Sequence, residues 1–246
     1  MLVSRMNSAD SIRTGIFFDH YGGLALGQIL HICGPPGSAK TMMSIYLALK
    51  FLECFPRGQV LYFDADRRLV KSDIERMCVA NSIPRYCLDR IKIDMPLSWS
   101  NILDALAKEA VSDQKAMIVI DSLPNIFVEE LRGLSENIDE LDEEISLLVN
   151  NIIGFFENIV RYAFYSKLLV IVINQIRSVV GRMDVPHIWK SLGFIPVFWS
   201  IIHEFVDTCV VFRKIRRGLI FARVILSRYM PETIGIIRID EKLAIR

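Results

Sequence analysis

Eight residues, Gly34-Pro35-Pro36-Gly37-Ser38-Ala39-Lys40-Thr41, constrain this chain more than anything else in it. An apolar run, Ile29 to Cys33, leads into them, and Met42, Ile45, Tyr46, Leu49 and Leu52 follow at three- and four-residue spacing. A strand, a turn of small residues and then an amphipathic helix is the context a phosphate-binding loop requires. Small residues let backbone N–H groups close around a β-phosphate. Lys40 supplies a point charge to the β- and γ-phosphates, and the Thr41 hydroxyl is a ligand for Mg2+. The usual second glycine of such a loop is Ala39 here, one methyl larger, with Gly37 placed to relieve the turn. The competing reading is a proline-glycine turn before an ordinary amphipathic helix.

The rest of the chain alternates strands with helices. Val60 to Phe63 reads as a strand ending in Asp64-Ala65-Asp66, Ile74 to Val79 as a helix, and Arg90 to Ile93 as a short strand. Ile102 to Ala110 reads as a helix, and Ala116 to Ile120 as a buried strand ending at Asp121. Ile138 to Tyr165 is the longest periodic segment. One apolar stripe runs Ile138, Leu141, Ile145, Leu148, Ile152, Phe155, Ile159, Tyr162, and a second runs Val149, Ile153, Phe156, Val160, Phe164. A helix with two such stripes needs cover on two sides. Leu168 to Ile173 is apolar enough for a central strand and ends at Asn174-Gln175. Val206 to Arg213 and Leu219 to Ser227 form a hairpin around Arg216-Arg217-Gly218, with a last strand at Ile234 to Ile239. The order predicts an α/β fold, a mainly parallel central sheet flanked by helices with a C-terminal antiparallel hairpin. A length of 246 residues suits one domain, 14–246, behind a short lead-in, 1–13.

Composition narrows the partners. Hydrophobic residues make up 52% against 23% charged, with a mean hydropathy of +0.35, which predicts a surface covered by another protein. A net charge of +1 gives no overall attraction to nucleic acid or anionic membrane, so any such contact has to be local. The longest apolar stretch, Leu192 to Val206, contains Pro196, His203 and Glu204 and falls short of the roughly 20 residues that span a bilayer. It reads as core around Trp199 and argues against a membrane anchor. The first residues show no secretory signal. Five cysteines (Cys33, Cys54, Cys78, Cys87, Cys209), widely spaced and without a Cys-x-x-Cys pair, offer neither a readable zinc motif nor a disulfide framework, and fit a reducing compartment.

Several polar residues fall at strand ends, the edge where α/β proteins bind ligands. Asp121 follows an apolar strand and is placed to hold a metal-bound water. Of Asp64 and Asp66, one is a candidate general base, and both are equally readable as solvated loop carboxylates beside Arg67 and Arg68. Gln175 is placed either to sense a γ-phosphate or to cap its strand.

Taken together and in this order, these sites resemble the RecA/RadA family of recombinases, most of all the eukaryotic recombinase paralogues. Thr14-Gly15 with Asp19 and Gly22-Gly23 is similar to the family's lead-in. Val60 to Asp66 is similar to its strand ending in Asp-Thr-Glu, Ile120-Asp121-Ser122 to its metal-binding strand, and Val172 to Gln175 to the strand before its second DNA loop. Arg213-Lys214, Arg223, Ser227 and Pro231-Glu232 fall where the family has its last hairpin and a Ser-x-x-x-Pro-Glu segment. The resemblance implies ATP and Mg2+ as cofactors, with Gly34 to Thr41 around the nucleotide, Thr41 and Asp121 on the metal, and Asp66 and Gln175 as catalytic residues. It also implies a nuclear DNA-repair role and contact with single-stranded DNA, directly or through a partner. That partner would be a recombinase or another paralogue, joined across the nucleotide edge.

The departures from the family carry as much information. Asp66 stands where active members have a catalytic Glu, one methylene closer to the backbone, so hydrolysis is expected to be weak. Asp73 falls where the family has an Arg near the adenine. The region of the first DNA loop carries Glu129, Glu130, Glu136, Asp139, Glu140, Asp142, Glu143 and Glu144 against the single Arg132, the wrong sign for phosphate contact, although acids are also normal at a helix start. Arg177, Arg182 and Lys190 near the second DNA loop, and Arg213, Lys214, Arg216 and Arg217 at the hairpin, are candidate DNA or partner contacts, a solvated turn being the commoner explanation for the second group. Active members also carry a DNA-binding domain and a polymerisation segment before the core. Only about a dozen residues precede Thr14 here, so long self-assembled filaments are not expected. The reading is an ATP-binding paralogue that assists recombinase assembly. Its alternatives are a self-sufficient strand-exchange ATPase and a RecA-like ATPase outside recombination.

Overall fold

Along each central strand, successive residues face opposite sides of the sheet, and here both sides are covered. The computed structural model describes residues 10–96, 98–110, 114–133, 138–179 and 185–246. In chain order these form β1 (Ser11–Ile12), a 3-10 turn (Phe17–Tyr21), β2 (Leu24–Ala25), β3 (Ile29–Cys33), α1 (Lys40–Cys54), β4 (Gln59–Asp64), α2 (Lys71–Ala80) and β5 (Ile91–Asp94). There follow α3 (Trp99–Ala110), β6 (Ala116–Asp121), the short α4 (Leu123–Ile126) and α5 (Val128–Arg132), and the long α6 (Ile138–Ser166). After α6 come β7 (Leu169–Asn174), β8 (Ile176–Ser178), α7 (His187–Leu192), β9 (Phe194–Pro196), α8 (Trp199–Ile202), β10 (Thr208–Arg216), β11 (Leu219–Ser227) and β12 (Ile234–Arg238).

Eight strands make one sheet in the order β12-β11-β10-β3-β7-β6-β4-β5. From β10 through β5 all neighbours are parallel, while β10-β11 and β11-β12 are antiparallel, in agreement with the hairpin pattern of the sequence. One core lies on the α1 and α2 side, with Leu30, Ile32, Tyr62, Val119 and Ile171 pointing into it. A second lies under α3, α6 and α8, fed by the alternate residues Ile29, Phe63, Ile120, Val170 and Val172. The period of two in strands sorts the same sequence into both. β3, flanked by β7 and β10, is central, so the strand that leads into the Gly34 to Thr41 loop is paired on both sides.

The packed body begins before Thr14. Ser11 and Ile12 pair with β2, Ile12 is fully buried, and Asp10 receives ion pairs from Lys115 and Lys167. At the far edge, Gly235 of β12 lies where an added Cβ would come within 2.3 Å of the Phe17 ring. Asp19 of the lead-in fastens the chain locally, accepting hydrogen bonds from Thr14 N and Oγ1 and from Gly15 N. No helix among the described residues is long and apolar enough to cross a membrane.

Candidate functional site

The carboxyl ends of β3, β4, β6 and β7 surround a cavity of about 450 Å3 lined by the loop from Gly34 to Met42 together with Asp64, Asp66, Asp121 and Gln175. Hollows of similar size occur elsewhere on the surface, but none of them gathers these chemical groups.

The loop is shaped by its small residues. Gly34 has φ +155°, and a Cβ there would lie 2.2 Å from the Phe212 carbonyl oxygen, so no other residue fits. Gly37, with φ +74°, has open space around it. Ala39 is left-handed at φ 65°, a conformation that costs a residue with a Cβ roughly 1–2 kcal/mol, and it opens α1 without a side-chain cap. The uncapped first turn leaves backbone N–H groups free to face an anion.

Within the cavity, Lys40 Nζ turns back on its own loop and donates to the carbonyl oxygens of Gly34 (2.8 Å) and Pro35 (3.0 Å). Burial lowers its pKa, against the raising pull of Asp121 and Asp66. Thr41 Oγ1 donates to Asp121 Oδ2 at 2.6 Å, and Tyr62 OH donates to the same oxygen at 2.8 Å. This leaves the Thr41 oxygen lone pairs available to a cation while its proton is engaged. Burial raises the Asp121 pKa, only partly offset by those two hydrogen bonds, and the nearby Asp66 and Asp64 raise it further. Such a carboxylate gains from a divalent cation. Thr41 and Asp121 thus have the donor set that suits Mg2+, an oxygen-loving ion held by few protein ligands.

The two acids after β4 have different fates. Asp64 is buried and accepts the Leu69 backbone N–H at 2.8 Å, so it shapes its loop and is not the solvated carboxylate of the plainer reading. Asp66 reaches the cavity, where its Oδ1 accepts from Ser122 Oγ (2.8 Å) and from Asn125 Nδ2. Gln175 Nε2 lies 3.4 Å from the same Ser122 hydroxyl, and Gln175 is exposed beside the cavity, whereas Asn174 is buried and ties β7 to Val197. Lys40, Thr41, Asp66, Asp121 and Gln175 are therefore brought to one place. Tyr62, Ser122 and Asn125, which hold the acids in position, escape the sequence reading. Tyr62 and Ser122 stand inside the strand motifs, but nothing in the pattern marks Asn125.

The candidate outer contacts scatter more widely. Arg177 is exposed on β8, just past Gln175. Arg213, Lys214, Arg216 and Arg217 are exposed on the projecting β10-β11 hairpin, beyond Val211, the last residue of β10 paired with β3. Because β10 runs parallel to β3, that hairpin rises on the same edge as the Gly34 to Thr41 loop. Arg182 and Glu136 lie outside the described residues. Asp73 pairs with Arg76 at 3.3 Å and does not line the cavity.

This fold and site define a RecA-like α/β protein with a candidate phosphate-binding loop at the carboxyl edge of its sheet. In structure the chain is similar to the RadB recombinase, with a TM-score of 0.66 and 21% identity, over 91% of this chain and 92% of that one. In sequence it is 25% identical over 174 residues to the DNA repair protein RAD51 homolog 2 of Arabidopsis thaliana, a match covering 64% of this chain and 44% of that relative, so it spans less than half of that protein. No protein-family model matches the chain. The structural likeness is one of fold, the sequence likeness is to a DNA repair protein, and both agree with the resemblance to RecA/RadA-type recombinases read from the sequence.

Proposed function

We propose that this chain is an ATP-binding recombinase paralogue of the cell nucleus that acts with a recombinase or another paralogue on single-stranded DNA during homologous repair. One observation carries the nucleotide half of the reading: Lys40, Thr41, Asp66, Asp121 and Gln175 line one cavity. The named relatives, a DNA repair protein and a recombinase, support the repair half. Nucleotide then acts chiefly as a structural ligand that adds binding free energy to the folded or assembled state. Asp66, one methylene shorter than the expected Glu, favours this accessory role over a self-sufficient strand-exchange enzyme. The exposed basic hairpin, Arg213 to Arg217, supports contact with phosphate or with a neighbouring subunit.

Lys40→Ala tests the nucleotide half. Titration with Mg-ATP is expected to show binding in the parent and none in the variant, with far-ultraviolet circular dichroism unchanged. A variant that binds ATP as tightly as the parent would remove the phosphate-loop assignment.

A further inference from the structure

Behind the phosphate loop, on the α6 and α8 side of the sheet, three soft donors converge where the core is otherwise hydrocarbon. His31 and Cys33 are alternate residues of β3 and so point the same way, and Cys209 of β10 stands beside His31 in the parallel register. All three are fully buried, and one ligand atom from each lies within 4.8 Å of the others. His31 Nδ1 is 3.2 Å from Cys209 Sγ, while Nε2 has no hydrogen-bond partner. The Trp199 ring, 5.9 Å from the imidazole, closes the pocket toward α8. The surrounding strand positions are Ile29, Val170, Val172 and Val211. A buried ring nitrogen left unanswered costs about 1–3 kcal/mol, so packing alone does not favour a histidine here.

We propose that His31, Cys33 and Cys209 form a binding site for Zn2+ that bridges β3 and β10. Thiolate and imidazole are the usual ligands of this ion. With Zn–S near 2.3 Å and Zn–N near 2.0–2.1 Å, tetrahedral donors stand about 3.5–3.8 Å apart, so the widest pair closes by about 1.3 Å at most and the 3.2 Å pair of His31 Nδ1 and Cys209 Sγ opens slightly. Binding releases one proton from each thiol to solvent and involves no change of oxidation state. Two thiolates and a neutral imidazole around a 2+ ion leave no net charge, which suits an apolar interior. Among the described residues no fourth His, Cys, Asp or Glu joins the cluster, so the fourth position falls to water or a backbone carbonyl. None of the three residues lines the nucleotide cavity, yet Cys33 immediately precedes Gly34, and Gly34 packs against the Phe212 carbonyl of β10. The ion would fasten the two strands where the phosphate loop begins.

The test is metal content. Chain expressed with zinc in the medium and purified under reducing conditions without chelator is expected to carry about one zinc by plasma mass spectrometry. The Cys33→Ala/Cys209→Ala variant should lose it, and Cys54→Ser/Cys87→Ala should keep it. Because a double core variant can misfold, the parent is also refolded from denaturant with Co2+. Thiolate ligation would give a near-ultraviolet charge-transfer band and visible d–d bands, both abolished by added zinc. A parent that carries no zinc and shows no thiolate-cobalt band overturns the proposal. So does metal that follows Cys54 and Cys87 in place of Cys33 and Cys209. Neither measurement involves ATP, so this failure would leave the phosphate-loop reading standing.

Discussion

Asp66 is held by two neutral donors, Ser122 and Asn125, and its own N–H donates to the Asp121 carbonyl at 3.3 Å. Its carboxylate is well oriented, but its reach is fixed by one methylene. The parent is therefore expected to turn over far below the enzyme median of roughly 10 per second. Asp66→Glu should raise steady-state turnover about 10-fold and Asp66→Ala should abolish it, a modest share of what a general base contributes. Equal rates in the parent and Asp66→Ala would remove Asp66 from catalysis. The charged residues of the candidate nucleotide site, Lys40, Asp66 and Asp121, are legible in the sequence because their types are rare at strand ends. The residues that steady them are not. Tyr62 looks like one more apolar strand position until its hydroxyl is seen at Asp121, and His31 meets Cys209 only through a pairing of strands far apart in the chain.

At the scale of elements, α6 shows how far periodicity carries. Its two stripes are readable, but the face that the fold covers cuts across both. Leu148, Ile152, Phe155, Phe156, Ile159 and Ala163 are buried, while Ile145 of the first stripe and Val160 and Phe164 of the second are exposed. Phe155 packs edge-on against Phe127 and Phe156. Phe155→Ala should cost about 3–5 kcal/mol in denaturant unfolding. Phe164→Ala, at a site 69% exposed, should stay within about 0.5 kcal/mol in the isolated chain. Comparable losses at both sites would mean that α6 is covered on both sides. The long helix, the apolar strands and the hairpin are legible because each repeats its period several times. The short α7, β9 and α8 are not, since 185–206 is too apolar and too often interrupted to show either period. Trp189 and Trp199 nevertheless pack there, 4.8 Å apart, as core.

For the whole molecule, the apolar excess of the composition surfaces in particular places: Leu147, Phe164 and Tyr165 on α6, and Ile215, Ile234 and Ile236 on the hairpin and the edge strand. An edge strand that presents isoleucines to solvent invites further pairing. The isolated chain is expected to self-associate at micromolar concentration in sedimentation velocity runs and to become monodisperse with a recombinase or paralogue partner. A stable monomer indifferent to every such partner would defeat the accessory-subunit reading. Nucleotide enters the same balance by exchange. Lys40 already satisfies two carbonyls of its own loop, so an incoming phosphate has to unfasten a latch before it gains a contact. On the proposed nucleotide reading, a ligand that engages the loop amides, the Lys40 ammonium and a Thr41-bound cation together offsets that release better than a small anion with fewer contacts.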